Sequence, residues 1–245
     1  MPSSLLIALV PAAGGGQRFG GPQPKQYMAL SGRTVLECTL WRLQQGLKPD
    51  HIVVVLASDD KIFSTLTDLP PGVEALYCGG VTRAESVRNA LLALAKQCSD
   101  RDWIAVHDAA RPCVPVTCLQ SLTTVARGAM GGESGALLAV PLADTLKEGA
   151  TDGAAARAVA TLDRARFWSA QTPQMFRYGL LSKALSQEGA LLCTDESQAV
   201  ERYCKQTGGA LPLLLRGSVQ NLKLTYAEDL PLAEAILAFQ KEKIS

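Results

Sequence analysis

Arg18 and Lys25 lie on a glycine-rich stretch that runs Pro11-Ala12-Ala13-Gly14-Gly15-Gly16-Gln17-Arg18-Phe19-Gly20-Gly21-Pro22-Gln23-Pro24-Lys25-Gln26-Tyr27. Consecutive glycines bring backbone N–H groups close to a ligand with no Cβ in the way, and converging N–H groups favour an anion. The arginine and the lysine add full positive charge, so the chemistry on offer is the binding and polarisation of phosphate. Glycine clusters also form plain surface turns, a reading that the two cations argue against. A second glycine pair, Gly79-Gly80, precedes Thr82-Arg83-Ala84-Glu85-Ser86. Thr82 and Glu85 have capping-box spacing. The free N–H groups and dipole of a helix start suit a phosphate or a base carbonyl, with Arg83 or Ser86 as side-chain donors. The alternative for Ser86 is an ordinary first-turn serine. In His107-Asp108-Ala109-Ala110-Arg111-Pro112, Asp108 can contact a ribose, a metal ion or a polar substrate group. Alternatively, Asp108 and Arg111 simply pair near the surface.

Two common phosphate loops do not fit. The dinucleotide pattern G-x-G-x-x-G starts with Gly14 and Gly16 but meets Phe19 where the third glycine must allow close helix packing. A nicotinamide enzyme would also need Asp59 as its ribose-binding acid, 43 residues after Gly16 rather than about 20. The P-loop requires Gly-Lys-Ser/Thr, and Gly20 is followed by Gly21-Pro22.

The elements that must position these residues are legible in the apolar pattern. Residues 5–10 form a short apolar run bounded by Pro and Gly, which predicts a buried strand. The glycine loop then leaves its carboxyl end, the edge where open α/β sheets bind ligands. Thr34 and Glu37 form a capping box, and Val35, Leu36, Leu40, Leu43 and Leu47 predict a helix ending near Gly46. Residues 51–56 predict a strand, 59–66 a short helix and 74–78 a third strand. A helix after Thr82 follows, with Val87, Ala90, Leu91, Leu94 and Ala95 as its buried stripe, then a strand over 103–106, a helix over 117–127 and a strand over 136–140. Such alternation implies a parallel sheet with right-handed crossovers.

Residues 141–162 have little apolar content beyond alanine and are broken by residues 149–153, predicting a two-stranded arm. An isolated hairpin is marginal in water, so the arm is expected to pack on another subunit; a disordered insertion is the alternative. Beyond it, residues 178–186 read as helix, Thr194 as a helix N-cap with Asp195 and Glu196 complementing the dipole, and 211–215 and 221–224 as strands. Residues 225–228 form a third capping box opening a terminal helix. No linker, repeat or low-complexity tract divides the chain, so residues 1–245 are expected to form a single domain.

Composition narrows the function. With 47% hydrophobic and 19% charged residues the chain is globular rather than disordered. A net charge of +1 offers no overall field for a nucleic-acid polymer or a membrane surface, so any phosphate must be held locally. The 7 cysteines are odd in number and contain no C-x-x-C pair, which reads as reduced thiols in a cytoplasmic protein. With only His51 and His107 beside them, a zinc site or a Cys/His nucleophile is disfavoured. The N-terminal apolar run lacks the basic flank of a signal peptide, and no other uninterrupted run approaches membrane-spanning length.

The stretches above recur in order with Asp144-Thr145, Thr172-Pro173-Gln174, Thr194-Asp195-Glu196 and Asn221-Leu222-Lys223-Leu224-Thr225. In that combination the chain resembles the 2-C-methyl-D-erythritol 4-phosphate cytidylyltransferases from residue 5 to about residue 236. The resemblance implies a Rossmann-like nucleotidyltransferase fold, a mostly parallel central sheet flanked by helices, with a protruding β-arm at residues 141–162 used for homodimerisation. It implies CTP in the crevice above the sheet, methylerythritol phosphate as second substrate, and Mg²⁺ held mainly by the CTP phosphates. Matched position by position, Arg18 and Lys25 correspond to the triphosphate-binding, transition-state-stabilising cations. Ala12, Ala13, Gly14, Gly80 and Ser86 match cytidine and phosphate contacts, and Asp108 and Ala109 the ribose and substrate edge. Arg164 and Lys223 match the groups that position methylerythritol phosphate; Asp144, Thr145, Thr172 and Thr194 match that substrate's surroundings. Gln17 and Phe19 depart from the family, which often has a basic residue and Met there. No cyclodiphosphate synthase domain follows, so a single step is expected.

The implied chemistry suits the residue inventory. A phosphomonoester has its second pKa near about 6, so its oxygen can attack the α-phosphorus of CTP without a general base. Catalysis reduces to aligning two polyanions and stabilising charge on departing pyrophosphate, which needs cations and N–H groups rather than histidine. The rival readings are a ribitol-5-phosphate cytidylyltransferase and a nucleotide-binding regulatory subunit without turnover.

Overall fold

The computed structural model describes residues 4–15, 23–126, 128, 134–153 and 155–242. Arg18, Gln17 and Phe19 therefore lie outside the described residues. Strand β1 (Leu6–Pro11) is followed by a small hairpin, β2 (Ala29–Leu30) and β3 (Arg33–Thr34), and then by β4 (His51–Val55), β5 (Val73–Leu76) and β6 (Trp103–Val106). The later strands are β7 (Ala136–Pro141), β8 (Leu146–Asp152), β9 (Ala155–Leu162), β10 (Trp168–Arg177) and β11 (Leu213–Arg216). Seven of them form one sheet in the order β11-β7-β10-β6-β1-β4-β5. All neighbours in it are parallel except β10, which runs antiparallel to both β6 and β7.

β1 and β6 are apolar at every position, and β4 at all but His51, because both sheet faces are covered there. Ala8, Val10, Ile52, Val54 and Ala105 pack on one face against Leu40, Leu43, Leu119 and Leu122 from α1 (Val35–Gly46) and α3 (Val116–Ala126). Ile7, Leu9, Val53, Val55 and Val106 pack on the other against α2 (Arg83–Ala93), α4 (Tyr178–Leu185) and α5 (Glu196–Thr207). Leu30, Val35, Ala110, Leu224 and Leu237 form a smaller cluster that seats α6 (Asp229–Glu242) on the β2–β3 hairpin.

Helix α1 starts and ends where the pattern predicts, with both halves of the Thr34–Glu37 capping box present. Other local expectations are overturned by side chains competing for the same backbone donors. The helix expected over 59–66 is only a 3-10 turn, Phe63–Thr65, because Asp60 Oδ1 accepts the Ile62 and Phe63 N–H groups at 3.0 Å each. At α2, Thr82 caps Glu85, but the Glu85 carboxylate accepts from Val81 rather than closing the box. Asp195, not Thr194, caps α5 by accepting from Gln198 N–H at 2.8 Å. At α6, Asp229 reaches back to the Thr225 and Tyr226 N–H groups in place of a Thr225–Glu228 box. Residues 221–224 join no strand; Leu224 N–H donates instead to the Ala110 carbonyl.

Strands β8 and β9 pair antiparallel as an arm apart from the main sheet. Gly153 turns its tip at φ 61°, in the left-handed region that penalises a Cβ.

Candidate active site

The site forms where β1, β4 and β6 end on the same edge. Ala12 N–H extends the ladder by donating to Val55 O, and Gly79 N–H donates to Leu56 O, each at 2.8 Å. A Cβ on Gly79 would lie 2.3 Å from the Ala13 Cβ and 2.7 Å from Leu56 O, so glycine alone permits the two loops to meet. Residues Lys25–Tyr27 form a 3-10 turn locked onto the glycine loop. Buried Gln26 donates to Ala12 O (2.7 Å) and Gly14 O (3.2 Å), while Tyr27 donates to Asp60 Oδ2 (2.7 Å). Lys25 Nζ donates to Leu224 O at 2.9 Å, tying the glycine loop to the segment that carries Lys223.

Asp108, 7% exposed, is the electrostatic centre. Its carboxylate accepts from Arg83 Nε at 2.8 Å, Lys223 Nζ at 2.9 Å and Arg111 Nε at 3.4 Å. Arg83 also reaches Glu196 at 2.5 Å, and Arg111 donates to Asn221 O at 2.6 Å. Burial opposes ionisation of Asp108, but Arg83, Lys223 and Arg111 outweigh it and hold the carboxyl far below the usual range. Burial likewise opposes the charge on Arg83, and Glu196 and Asp108 more than restore it. Asp108 is therefore a fixed anion that orients cations, not a proton acceptor.

Beneath it lies an ordered chain of donors. His107 Nε2 is 3.1 Å from Arg111 O, which can only accept, so the proton sits on Nε2 and Nδ1 accepts from Thr172 Oγ1 at 3.0 Å. Thr172 in turn accepts the Asp108 N–H at 3.0 Å. Burial pushes the His107 pKa from 6.5 down to about 4. Between those values the unfolded chain binds a proton that the native state excludes. Stability is thus expected to fall as pH drops from 6.5 to 4, by on the order of 3 kcal/mol. The depressed Asp108 carboxyl adds loss only below its ordinary value of 3.8. Chemical denaturation of wild type and His107→Asn from pH 7 to 4 checks this: the variant must lose the slope in the upper window.

Ala12, Ala13, Gly14, Lys25, Gly80, Ser86, Asp108, Ala109 and Lys223 line a single cleft of about 290 Å³. Thr172 lies under its floor. Asp144, Thr145 and Arg164 sit exposed at the foot of the arm, where Arg164 donates to Ala143 O, and exposed Thr194 bonds Gln198; none of these four lines the cleft. Ser86 is not a spare donor, and Arg83 is largely committed. Arg83 spends Nε and Nη1 on two carboxylates and keeps only a buried Nη2 without a partner among the described residues, while Ser86 Oγ accepts from Gly80 N–H and donates to Thr82 O. Asp108 and Arg111 do pair, but as largely buried rather than surface partners, and of the two only Asp108 lines the cleft.

Sequence reasoning missed the support behind these groups. Glu196 reads locally as a dipole-complementing acid, yet its partner is Arg83, 113 residues away. Gln174 donates to Asp195 and accepts from Ser197 N–H, fixing the start of α5. Asn221 donates to Thr172 O and Gln171 Oε1. A buried amide with distant partners leaves no periodic signal. Gln26 had one, its place in Pro24-Lys25-Gln26-Tyr27.

A mostly parallel α/β sheet whose carboxyl-end loops converge cations on a glycine loop defines a nucleotide-binding transferase of the nucleotidyltransferase class. The chain belongs to the 2-C-methyl-D-erythritol 4-phosphate cytidylyltransferase family, whose model matches residues 6–239. The relative of that name from Chromobacterium violaceum is 46% identical, covering 97% of this chain and 100% of its own. The one from Dechloromonas aromatica is 46% identical over 96% and 98%. Among solved structures, a 4-diphosphocytidyl-2C-methyl-D-erythritol synthase superposes with TM-score 0.79 at 38% identity, covering 97% of this chain and 100% of that one. The Francisella tularensis 2-C-methyl-D-erythritol 4-phosphate cytidylyltransferase does so with TM-score 0.76 at 32%, covering 95% and 100%.

Proposed function

We propose that this cleft performs the reaction for which the family is named: attack of a methylerythritol phosphate oxygen on the α-phosphorus of CTP, with release of pyrophosphate. The carrying observation is that Lys223, Arg83 and Arg111 surround one ionised carboxylate, Asp108, on the cleft that Lys25 and residues 12–15 also line. Lys25 would bind the triphosphate and neutralise the leaving pyrophosphate, Arg18 acting with it. Lys223, oriented by Asp108, would meet the incoming phosphate, and the Ala12–Gly14 backbone with Gly80, Ser86 and Ala109 would enclose the nucleotide. Arg164, Asp144, Thr145 and Thr194 lie away from the cleft, so we assign them to a second-substrate edge completed in a homodimer.

Asp108 is the only carboxylate among the described residues lining the cleft, and its oxygens are already shared among cations. With that carboxylate committed to cations, the cleft offers no protein cage for a metal among the described residues, which suits a Mg²⁺ ion that would be held mainly by the triphosphate it arrives on. The ion would supply Lewis-acid withdrawal of charge from the phosphates. Among the described residues no helix is long and apolar enough to cross a membrane.

The direct test is pyrophosphate release from CTP with methylerythritol phosphate, with ribitol 5-phosphate, and with neither. Turnover with the first alone is expected. Ribitol phosphate as the better substrate would replace the assignment, and tight CTP binding without turnover would mark a regulatory subunit.

The Gly80–Ser86 turn also sets an expectation for the base. The Gly80 and Val81 N–H groups are consumed by Ser86 and Glu85, leaving carbonyls and a serine lone pair as local acceptors. Cytosine presents an amine there, whereas uracil presents another acceptor and leaves polar groups unpaired. kcat/KM for CTP is expected to exceed that for UTP by about 10-fold or more. Equal values would remove this turn from base reading.

A further inference from the structure

We propose that a second cleft, between α1, α6 and the β2–β3 hairpin, binds a phosphomonoester carried on an apolar or flat body. This cleft encloses about 420 Å³ and shares no lining residue with the nucleotide cleft. Arg33, Arg42 and Lys241 line it together with Trp41 and Leu237, and among the described residues no acid does.

Arg42 carries the argument. It is only 8% exposed, and its sole polar partner among the described residues is the neutral amide oxygen of Gln240 at 2.8 Å. The Gln240 amide cannot be turned to offer anything better, because its nitrogen donates to Cys113 O at 2.9 Å and to Gln220 Oε1 at 3.0 Å. The other deeply placed arginines differ. Arg83 holds Asp108 and Glu196, and Arg111 holds Asp108. A buried guanidinium without a carboxylate is costly, and the cost is relieved by an anion in the space it lines. The acids nearby are otherwise employed: Asp68 pairs with Arg33 at 2.6 Å, and Glu37 caps α1 through Thr34. Burial lowers the affinity of Arg42 for its proton, in line with the absent counter-charge.

A tetrahedral dianion matches this set better than a monoanion, since a guanidinium can take two of its oxygens while a lysine meets a third. Trp41 and Leu237 give the rest of the molecule an apolar wall. The Trp41 indole is held by N–H donation to Asp68 and has the Arg33 guanidinium 5.4 Å from its ring centroid.

Phenyl phosphate is the probe, followed by tryptophan fluorescence and calorimetry on the full chain, with both substrate positions filled by the cytidylylated reaction product. Saturable binding is expected to persist under these conditions, to be unchanged in Lys25→Ala, and to weaken about 10-fold or more in Arg42→Gln. Benzyl alcohol, which has the ring without the charge, should not compete. Lys241→Gln, at an exposed position, serves if Arg42→Gln does not fold, and should also weaken binding. Three outcomes would overturn the site: loss of binding when the product is present, equal affinity of wild type and a folded Arg42→Gln, or competition by benzyl alcohol at equal concentration.

Discussion

Replacing Lys25 by alanine is expected to lower kcat by about 100-fold or more while leaving the chain folded. The lysine lines the nucleotide cleft from a turn that Gln26 fixes to the glycine loop, so its charge is delivered with little freedom left to lose. Charge on departing pyrophosphate grows toward the transition state, and a preorganised cation interacts with it more strongly there than in the ground state. The loss should therefore appear in kcat rather than in KM alone. Lys25 also donates to Leu224 O, a bond worth about 1 kcal/mol that alanine forfeits. Lys25→Met loses the same bond with less loss of packing, and Lys25→Arg keeps a charge, so the two separate structure from electrostatics. Steady-state kinetics with pyrophosphate detection decide the matter. A folded Lys25→Ala enzyme within a few-fold of wild-type kcat would remove the lysine from the chemistry.

The fold was readable wherever burial on both faces forces continuous apolar runs. β1, β4 and β6 show it, and their loops mark the ligand edge before any contact is known. β10 was not readable as a strand. It carries Gln171, Thr172, Pro173 and Gln174 in its middle, and its pairing with β7 shifts register between Ala170 and Gln174. Those polar residues are tolerated because Ser218, Asn221, His107 and Asp195 satisfy them, and all four arrive from elsewhere in the chain. The site divides along the same line. Glycine loops and helix starts are local signals, so the cleft-lining residues could be named from spacing and resemblance. The Arg83–Glu196 and Asp108–Lys223 pairs are set by tertiary placement, and a one-dimensional pattern holds no trace of which acid meets which base. Capping errors at Thr194 and Thr225 have a smaller cause. At α5, Asp195 takes the Gln198 N–H while distant Gln174 takes the Ser197 N–H that a Thr194 cap would need, and at α6, Asp229 takes the Thr225 N–H that Glu228 would have received.

Arg164 is expected to complete the active site of a neighbouring subunit. It stands exposed at the foot of the β8–β9 arm and does not line the cleft of its own chain. Val159, Leu162, Phe167 and Trp168 are exposed on and beside the arm, apolar surface that a hairpin in water cannot bury alone. A two-fold partner would cover it, and the exchange of arginines would then be reciprocal. Consider co-expressed Lys25→Ala and Arg164→Ala subunits, each inactive as a homodimer. If Arg164 acts across the interface, every heterodimer has one site carrying both lesions and one carrying neither, because the intact Arg164 comes from the Lys25→Ala subunit. Doubly tagged, purified heterodimers should then recover about half of wild-type activity, and a randomly paired mixture about a quarter of all sites. If Arg164 acts within its own chain, each site keeps one lesion and neither sample rises above its parents. Heterodimers without recovered activity would return Arg164 to its own subunit, and a monomer in solution would remove the arm's proposed partner altogether.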